Sequence, residues 1–323
     1  MDITGKNVIV LGGAGFIGSA LVDELLRTGI NTITVYDNFT RGVKNNLEAS
    51  SKDGRVKVVN GDITDLDSLD HAIKGQDVVF HFAALWLLHC FEYPREAFEV
   101  NIGGTFNVLE LCVKHEIPKL VYSSSASVYG DAMFTPMTES HPFNNKNFYG
   151  ATKIAGEQMC RAFSDRYGLD YVGLRYMNVY GPRQDYEGAY TAVMMKMLDR
   201  IDEGKPLPVF GDGSQTYDFV YVNDVARANL CAAVSDSTDA FYNVGTGIGT
   251  SVKEIAEILL DLTESDVGIK YEPEGQTFVT NRIGSIDAAR EHLCFTTNVN
   301  LVDGLKNLVA WRNEDKKRKM MDL

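Results

Sequence analysis

Tyr149 and Lys153 stand four residues apart in a stretch of helical patterning, so both lie on one helical face and the ammonium can approach the phenol. A free phenol, with a pKa of about 10, is a poor base at neutral pH, and an adjacent cation favours its ionised form. The pair can therefore move a proton to and from a substrate hydroxyl. Alone, a Tyr-x-x-x-Lys spacing usually marks a helix-surface pair. Here it follows Ser123-Ser124-Ser125, which closes a short apolar run. From there the Ser125 hydroxyl would hold a substrate oxygen within about 3 Å of the phenol.

Moving that proton oxidises a hydroxyl only if a hydride acceptor lies alongside, and the start of the chain is built to bind one. Gly12, Gly15 and Gly18 recur every three residues where an apolar strand turns into a helix. The first permits a tight turn, the second admits a pyrophosphate, and the third lets the helix pack on the strand. Phe16 and Ile17 open that helix, whose free N–H groups and dipole favour phosphate. Asp37, about twenty residues on, would accept the ribose hydroxyls of an adenosine, with Asn38 beside it. Its charge would repel a 2′-phosphate, which selects NAD over NADP. Arg41 either counters that selection or is a solvent-facing loop residue. Asp62, followed by Ile63, either bonds the adenine amino group or caps the next helix. Phe82, Ala83 and Ala84 supply small groups for the diphosphate and nicotinamide ribose.

These residues must be carried by alternating elements. Strand-like runs at 8–11, 32–36, 56–59, 78–82, 119–123 and 171–175 alternate with helical patterns at 16–26, 97–115 and 148–167. The expected fold is α/β, a doubly wound parallel sheet of Rossmann type with a smaller C-terminal α/β substrate lobe. Residues 1–176 form the expected NAD-binding domain and 177–323 mainly the substrate lobe, partly interleaved with the first. That lobe carries helical patterns at 189–203, 222–233, 252–262 and 301–311.

Apolar residues at 45% and charged residues at 23% are ordinary for a globular chain, and no apolar run is long enough to span a bilayer. No secretory leader is recognisable, which sets a cytoplasmic expectation. Five widely spaced cysteines suit neither a disulfide framework nor a metal site, and no metal is expected. A formal charge of −13 argues against nucleic-acid binding. The one strong basic cluster, Lys316 to Lys319, reads as a solvated, frayed tail.

Taken together, these motifs resemble the extended short-chain dehydrogenase/reductase family, most closely its sugar-nucleotide epimerases of the UDP-glucose 4-epimerase type. The resemblance spans nearly the whole chain, including the run Arg175-Tyr176-Met177-Asn178 and, later, Asp218-Phe219-Val220-Tyr221. It implies catalysis by Ser125, Tyr149 and Lys153, and NAD contacts at Asn101, Ser123, Tyr149, Lys153 and Tyr176 as well as the residues named above. It also implies a nucleotide-sugar substrate, UDP-sugar favoured, against Leu85, Ser125, Ala126, Ser127, Tyr149, Asn178, Arg183, Val209, Tyr217 and Arg282. Asn178 would touch the diphosphate, and 206–210 would lie against the base. Relatives that dehydrate their substrate carry an acidic pair where this chain has Ala126 and Ser127. Two phosphate-binding arginines of the family are replaced by Tyr217 and Thr277; Arg183 and Arg282 either substitute or are ion-pair partners.

Leu85 to Cys90 is bulkier than its family counterpart and should roof the active site, with His89 either a second acid/base or packed. Gly284, near a position that is bulky in some hexose epimerases, would leave room for an N-acetyl group. A homodimer through the helices at 97–115 and 148–167 is implied. The expected reaction is reversible 4-epimerisation through a ketone. The alternatives are a 4-ketoreductase, dehydrogenase or dehydratase on another substrate and, in a different class, a non-catalytic NAD-binding regulator.

Overall fold

The computed structural model describes residues 2–186, 193–273 and 281–321. Its strands are β1 (Asn7–Leu11), β2 (Thr32–Asp37), β3 (Val56–Asn60), β4 (Val78–His81), β5 (Lys119–Ser125), β6 (Tyr171–Tyr176), β7 (Asn178–Tyr180), β8 (Leu207–Phe210), β9 (Thr216–Tyr221), β10 (Ala240–Val244), β11 (Gly249–Ser251), β12 (Ile269–Glu272) and β13 (Asn281–Arg282). The α-helices are α1 (Phe16–Leu26), α2 (Leu66–Ile73), α3 (Leu87–Glu92), α4 (Pro94–Ala97), α5 (Thr105–Lys114), α6 (Phe148–Tyr167), α7 (Val193–Asp202), α8 (Val222–Val234), α9 (Val252–Leu262), α10 (Asp287–Leu293) and α11 (Leu301–Met321).

Seven strands form one parallel sheet in the order β10-β6-β5-β4-β1-β2-β3. Successive side chains of a strand point to opposite faces, so a strand covered on both sides must be apolar throughout. In β1, Val8 and Val10 join a core with Leu21, Val22 and Leu25 of α1 and Val225, Ala228 and Ala232 of α8. Ile9 and Leu11 face the opposite core, with Ile73 of α2, Leu109 and Cys112 of α5 and Cys160 of α6. The strand order reverses between β1 and β4, which opens a crevice at the carboxyl ends where the functional residues cluster. A second, smaller sheet centres on β9, flanked by β7, β11 and β13, and a third pairs β8 with β12.

Two expected helices differ in the structure, and a third is described only in part. The span 97–115 is α4 and α5 joined by a π-helical segment, Phe98–Gly104, which breaks the regular hydrogen-bond ladder around Asn101. The span 189–203 is described from Val193 on; its first residues, and Thr277, lie outside the described residues. The helix expected at 301–311 continues to Met321, so the basic cluster is an ordered helix end and not a frayed tail. The reason is counter-charge. Buried Arg312 pairs with Asp199 and Asp202, Lys316 with Asp202 at 2.6 Å, and Lys319 with Asp315 at 3.1 Å. Among the described residues no helix is long and apolar enough to cross a membrane, and no cluster of His, Cys, Asp or Glu could hold a metal.

Candidate active site

The crevice is a cavity of about 1370 Å³ whose lining includes Gly12, Gly15, Phe16, Ile17, Gly18, Asp37, Asn38, Asp62, Ile63, Phe82, Ala83, Ala84, Leu85, Ser123, Tyr149, Lys153 and Tyr176. Gly12 has φ +78, and a Cβ there would come within 2.8 Å of Ala83 N, so the turn needs glycine for both conformation and space. A Cβ at Gly18 would strike Gly12 O. Helix α1 starts at Gly15 with no side-chain cap and no acidic residue in its first turn, which leaves its N–H groups available to an anion. Asp37, at the end of β2, accepts hydrogen bonds from Ala14 N (2.9 Å) and Phe39 N (2.8 Å); burial pushes its carboxyl up and the two N–H groups oppose that. Asp62 accepts from Thr64 N, Thr64 Oγ1 and Asn38 Nδ2, which keep its carboxyl low against the opposing effect of burial. It is not a helix cap, because Asp65 fills that position in α2. An open helix N-terminus, a glycine cradle and a carboxylate at the end of β2 fit a dinucleotide.

The catalytic end is set by how closely α6 approaches β5. Asn147 caps α6 by accepting from Gly150 N, and a Cβ at Gly156 would strike the Tyr122 hydroxyl of β5. At this close approach Lys153 Nζ donates to Ser123 O at 2.7 Å and lies 5.7 Å from the centre of the Tyr149 ring. Burial pulls the ammonium down to about 8. Burial also pushes the Tyr149 phenol up to about 12, although a hydrogen bond with Ser125 opposes it. The expectation that the adjacent Lys153 lowers the phenol is therefore not met: burial dominates, and the ammonium is held on a carbonyl and is itself drawn toward neutrality. Behind this pair His81 donates to or accepts from Thr105 Oγ1 at 3.0 Å, and burial pushes its imidazole down to about 3, so it stays neutral.

Several expected contact residues do not face the cavity. Asn101 is buried; its Oδ1 accepts from Leu85 N (2.7 Å) and its Nδ2 donates to Leu85 O and Thr152 Oγ1 (both 3.1 Å), so it clamps the segment after β4 to α6. Ala126 and Ser127 are buried in a 3₁₀ turn in which Ser125 Oγ accepts from Ser127 N. Val209 is fully buried in the core of the second lobe, and strand alternation exposes its neighbour Phe210 instead. Asn178 Nδ2 donates to Asp218 O at 3.2 Å. Arg183 lines the cavity but is bound to Asp23 of α1 at 2.6 Å, an ion-pair role. Arg282 pairs in register with Tyr217 across β13 and β9, and its Nε is buried with no hydrogen-bond partner among the described residues. His89 does line the cavity, packed between Trp86 and Tyr93 and meeting Glu96 at 2.8 Å.

Two features escape a reading of the sequence. Glu157 and Arg175, both buried, form a bidentate pair at 2.8 and 2.7 Å, joined by Ser124 at 2.5 Å and Tyr129 at 2.9 Å. Glu157 follows Lys153 by one helical turn, a spacing that could have flagged it. Arg41, read as a possible solvent-facing residue, is exposed, and it also lies 4.3 Å over the Trp86 ring and lines the cavity. Nothing local in the sequence signals that contact.

Residues 8–245 match the NAD dependent epimerase/dehydratase family. The chain belongs to that family. It is 38% identical over 314 residues to a putative UDP-glucose 4-epimerase of Methanocaldococcus jannaschii, covering 94% of this chain and 97% of that one. Among solved structures, UDP-N-acetylglucosamine 4-epimerase from Methanobrevibacter ruminantium, in complex with UDP-N-acetylmuramic acid, superposes with a TM-score of 0.91 at 34% identity, covering 97% of this chain and 99% of that one. UDP-glucose 4-epimerase of Thermotoga maritima, with UDP-glucose, gives 0.89 at 33% identity, covering 96% and 99%. The family is NAD-dependent, in agreement with the Asp37 carboxylate at the end of β2.

Proposed function

We propose that this family member is a nucleotide-sugar 4-epimerase, with a UDP-hexose or UDP-N-acetylhexosamine as substrate. One observation carries the reading: Tyr149, Lys153 and Ser123 line the same cavity as the glycine turn and Asp37, with the Ser125 hydroxyl against the Tyr149 phenol. The names of the two similar epimerase structures and of the archaeal relative support the choice of reaction and of UDP.

The glycine turn, Asp37, Asp62, Phe82 to Ala84, Lys153 and Tyr176 would hold NAD, which supplies a hydride acceptor that later returns the hydride. Ser125 orients the sugar's C4 hydroxyl toward Tyr149. The phenolate takes the hydroxyl proton as the C4–H bond breaks, and gives it back once the ketone has turned its other face. The Ser125 hydroxyl, hydrogen-bonded to the phenol, favours its ionised form, while Lys153, held on Ser123 O, keeps a positive charge one helical turn away. Leu85 would wall the sugar; Arg282 lies near enough to Tyr149 to act on it electrostatically, while Asn178 and Tyr217 sit on the second sheet outside this cavity. A 4-ketoreductase is the second reading, favoured by Tyr217 at an arginine position of the family and by the engagement of Arg183 with Asp23.

The same reading divides the chain near 176 into a cofactor domain and a substrate lobe, and places it in the cytoplasm, where cysteines stay reduced. It also pairs two copies through α5 and α6, where Phe106, Phe148 and Tyr167 are exposed and Phe106 and Tyr167 line a shallow groove. The deciding test mixes purified protein with UDP-, GDP-, CDP- and dTDP-sugars, without added reductant, and follows the anomeric protons by NMR. Interconversion of C4 epimers with no net change in nicotinamide absorbance is expected; stoichiometric NADH turnover would establish the ketoreductase instead.

A further inference from the structure

Three segments meet over the mouth of the cofactor groove, and one guanidinium reaches all of them. Arg41 stands in the loop after β2. Its Cζ lies 4.3 Å from the centre of the Trp86 ring, on the segment after β4, and its Nη2 is 3.7 Å from Asp185 Oδ2, beyond β7. The loop's backbone sets this reach. Val43 N donates to Ala14 O at 3.2 Å, and Asn46 Nδ2 donates to the same carbonyl at 2.9 Å. At Gly42 a Cβ would come within 2.8 and 2.9 Å of the two Asp37 carboxylate oxygens. The loop is thus folded back onto the glycine turn, and Arg41 extends from it toward Trp86.

Among the described residues this guanidinium donates no hydrogen bond, and 3.7 Å to Asp185 is too long for one. The groove's other Arg and Lys side chains are engaged: Arg183 with Asp23, Lys153 with Ser123 O, and Arg318 and Lys319 with Asp315. A planar cation steadied on an indole, its N–H donors open, above a glycine turn and an uncapped helix N-terminus, is arranged to grip a diphosphate. Both NAD and a nucleotide sugar carry one. Arg41 and Trp86 line the cavity with Gly12, Gly15 and Asp37, whereas Asn178, Tyr217 and Arg282 do not, which favours the cofactor.

We propose that Arg41, stacked on Trp86, is a clasp that grips the cofactor's diphosphate and governs how slowly NAD leaves. An enzyme that must return its hydride to the same substrate molecule needs such retention. The clasp rests on NAD binding and not on the choice of 4-epimerisation.

The test uses the NAD-loaded protein. NAD release is timed after addition of excess ADP-ribose, and UDP affinity is measured by calorimetry. Trp86 is one of only two tryptophans, so intrinsic fluorescence gives an independent signal. Arg41→Gln and Trp86→Leu should each speed NAD release about tenfold, the scale of a partly desolvated cation–π contact. The double variant should go no further than the faster single, because both remove one stack. Arg41→Lys should restore only part, since an ammonium is a point charge. UDP affinity should not move. Unchanged NAD release in Arg41→Gln overturns the clasp. So does a loss of UDP affinity in its place, or additive effects of the two changes. If Trp86→Leu fails to fold, the two Arg41 variants still decide. Normal clasp behaviour in a protein that converts no nucleotide sugar would sink the epimerase reading alone.

Discussion

At the scale of single residues, the proposed mechanism puts the proton transfer on Tyr149, and the environment of that phenol then sets the pH dependence. Its phenol is pushed up to about 12 and the Lys153 ammonium down to about 8, both by burial. The working form has the phenol ionised and the lysine protonated. Below pH 8 the ionised phenol increases tenfold per pH unit while the lysine stays charged. Above pH 8 the loss of ammonium offsets any further gain. The kcat/KM for epimerisation, followed by NMR, should therefore climb with a slope near one up to about pH 8 and then level off. A flat profile between about pH 6 and pH 8 would mean that burial does not govern this phenol. Tyr149→Phe should abolish turnover and leave bound NAD in place, as read by the nucleotide released on denaturation. Gly18→Ala should act in the opposite sense: its methyl strikes Gly12 O, so NAD affinity should fall by roughly tenfold or more, since 1.4 kcal/mol of strain suffices.

At the scale of elements, the buried Glu157–Arg175 pair ties α6 to β6, and through Ser124 to the end of β5. It thereby sets the helix that carries Tyr149 and Lys153 against the strand that carries Ser125. Breaking one partner leaves an uncompensated buried charge. Glu157→Leu should cost about 3–5 kcal/mol in urea unfolding, and adding Arg175→Met should recover much of that loss. An unchanged midpoint in the single variant would show that water relieves the stranded guanidinium. The elements themselves were largely legible in the sequence. The 20 residues of α6 are bounded by an Asn cap and a left-handed Gly168, as local rules predict. The π-helical segment at Phe98–Gly104 was not legible, because its sequence keeps an ordinary helical pattern and the bulge is stabilised by the contacts of Asn101 with Leu85 and Thr152.

At the scale of the whole molecule, the sheet is completed from both halves of the chain. β10 covers the outer edge of β6, and α8 packs against α1 beneath the same sheet. A fragment ending at residue 176 would expose that edge and the apolar face of α1, including Leu21, Val22 and Leu25. It should aggregate or show no cooperative urea transition by circular dichroism, whereas a fragment extended through β10 should do better. Independent folding of 1–176 would make the returning segment an accessory.

What the sequence determined by itself was local and periodic. The glycine spacing, the carboxylate after β2, the Tyr–Lys spacing and the alternating apolar runs each follow from backbone geometry over a few residues. They were enough to indicate a doubly wound sheet and NAD, and to single out Tyr149 as the candidate acid/base. What only the tertiary structure decided were contacts between distant segments. Whether Arg183 meets a phosphate or Asp23, whether Val209 faces a ligand or a core, and whether the exposed Arg41 also lies over Trp86 depend on which elements pack together. A long flexible side chain reaches several such neighbours at similar local cost, so no pattern along the chain selects among them.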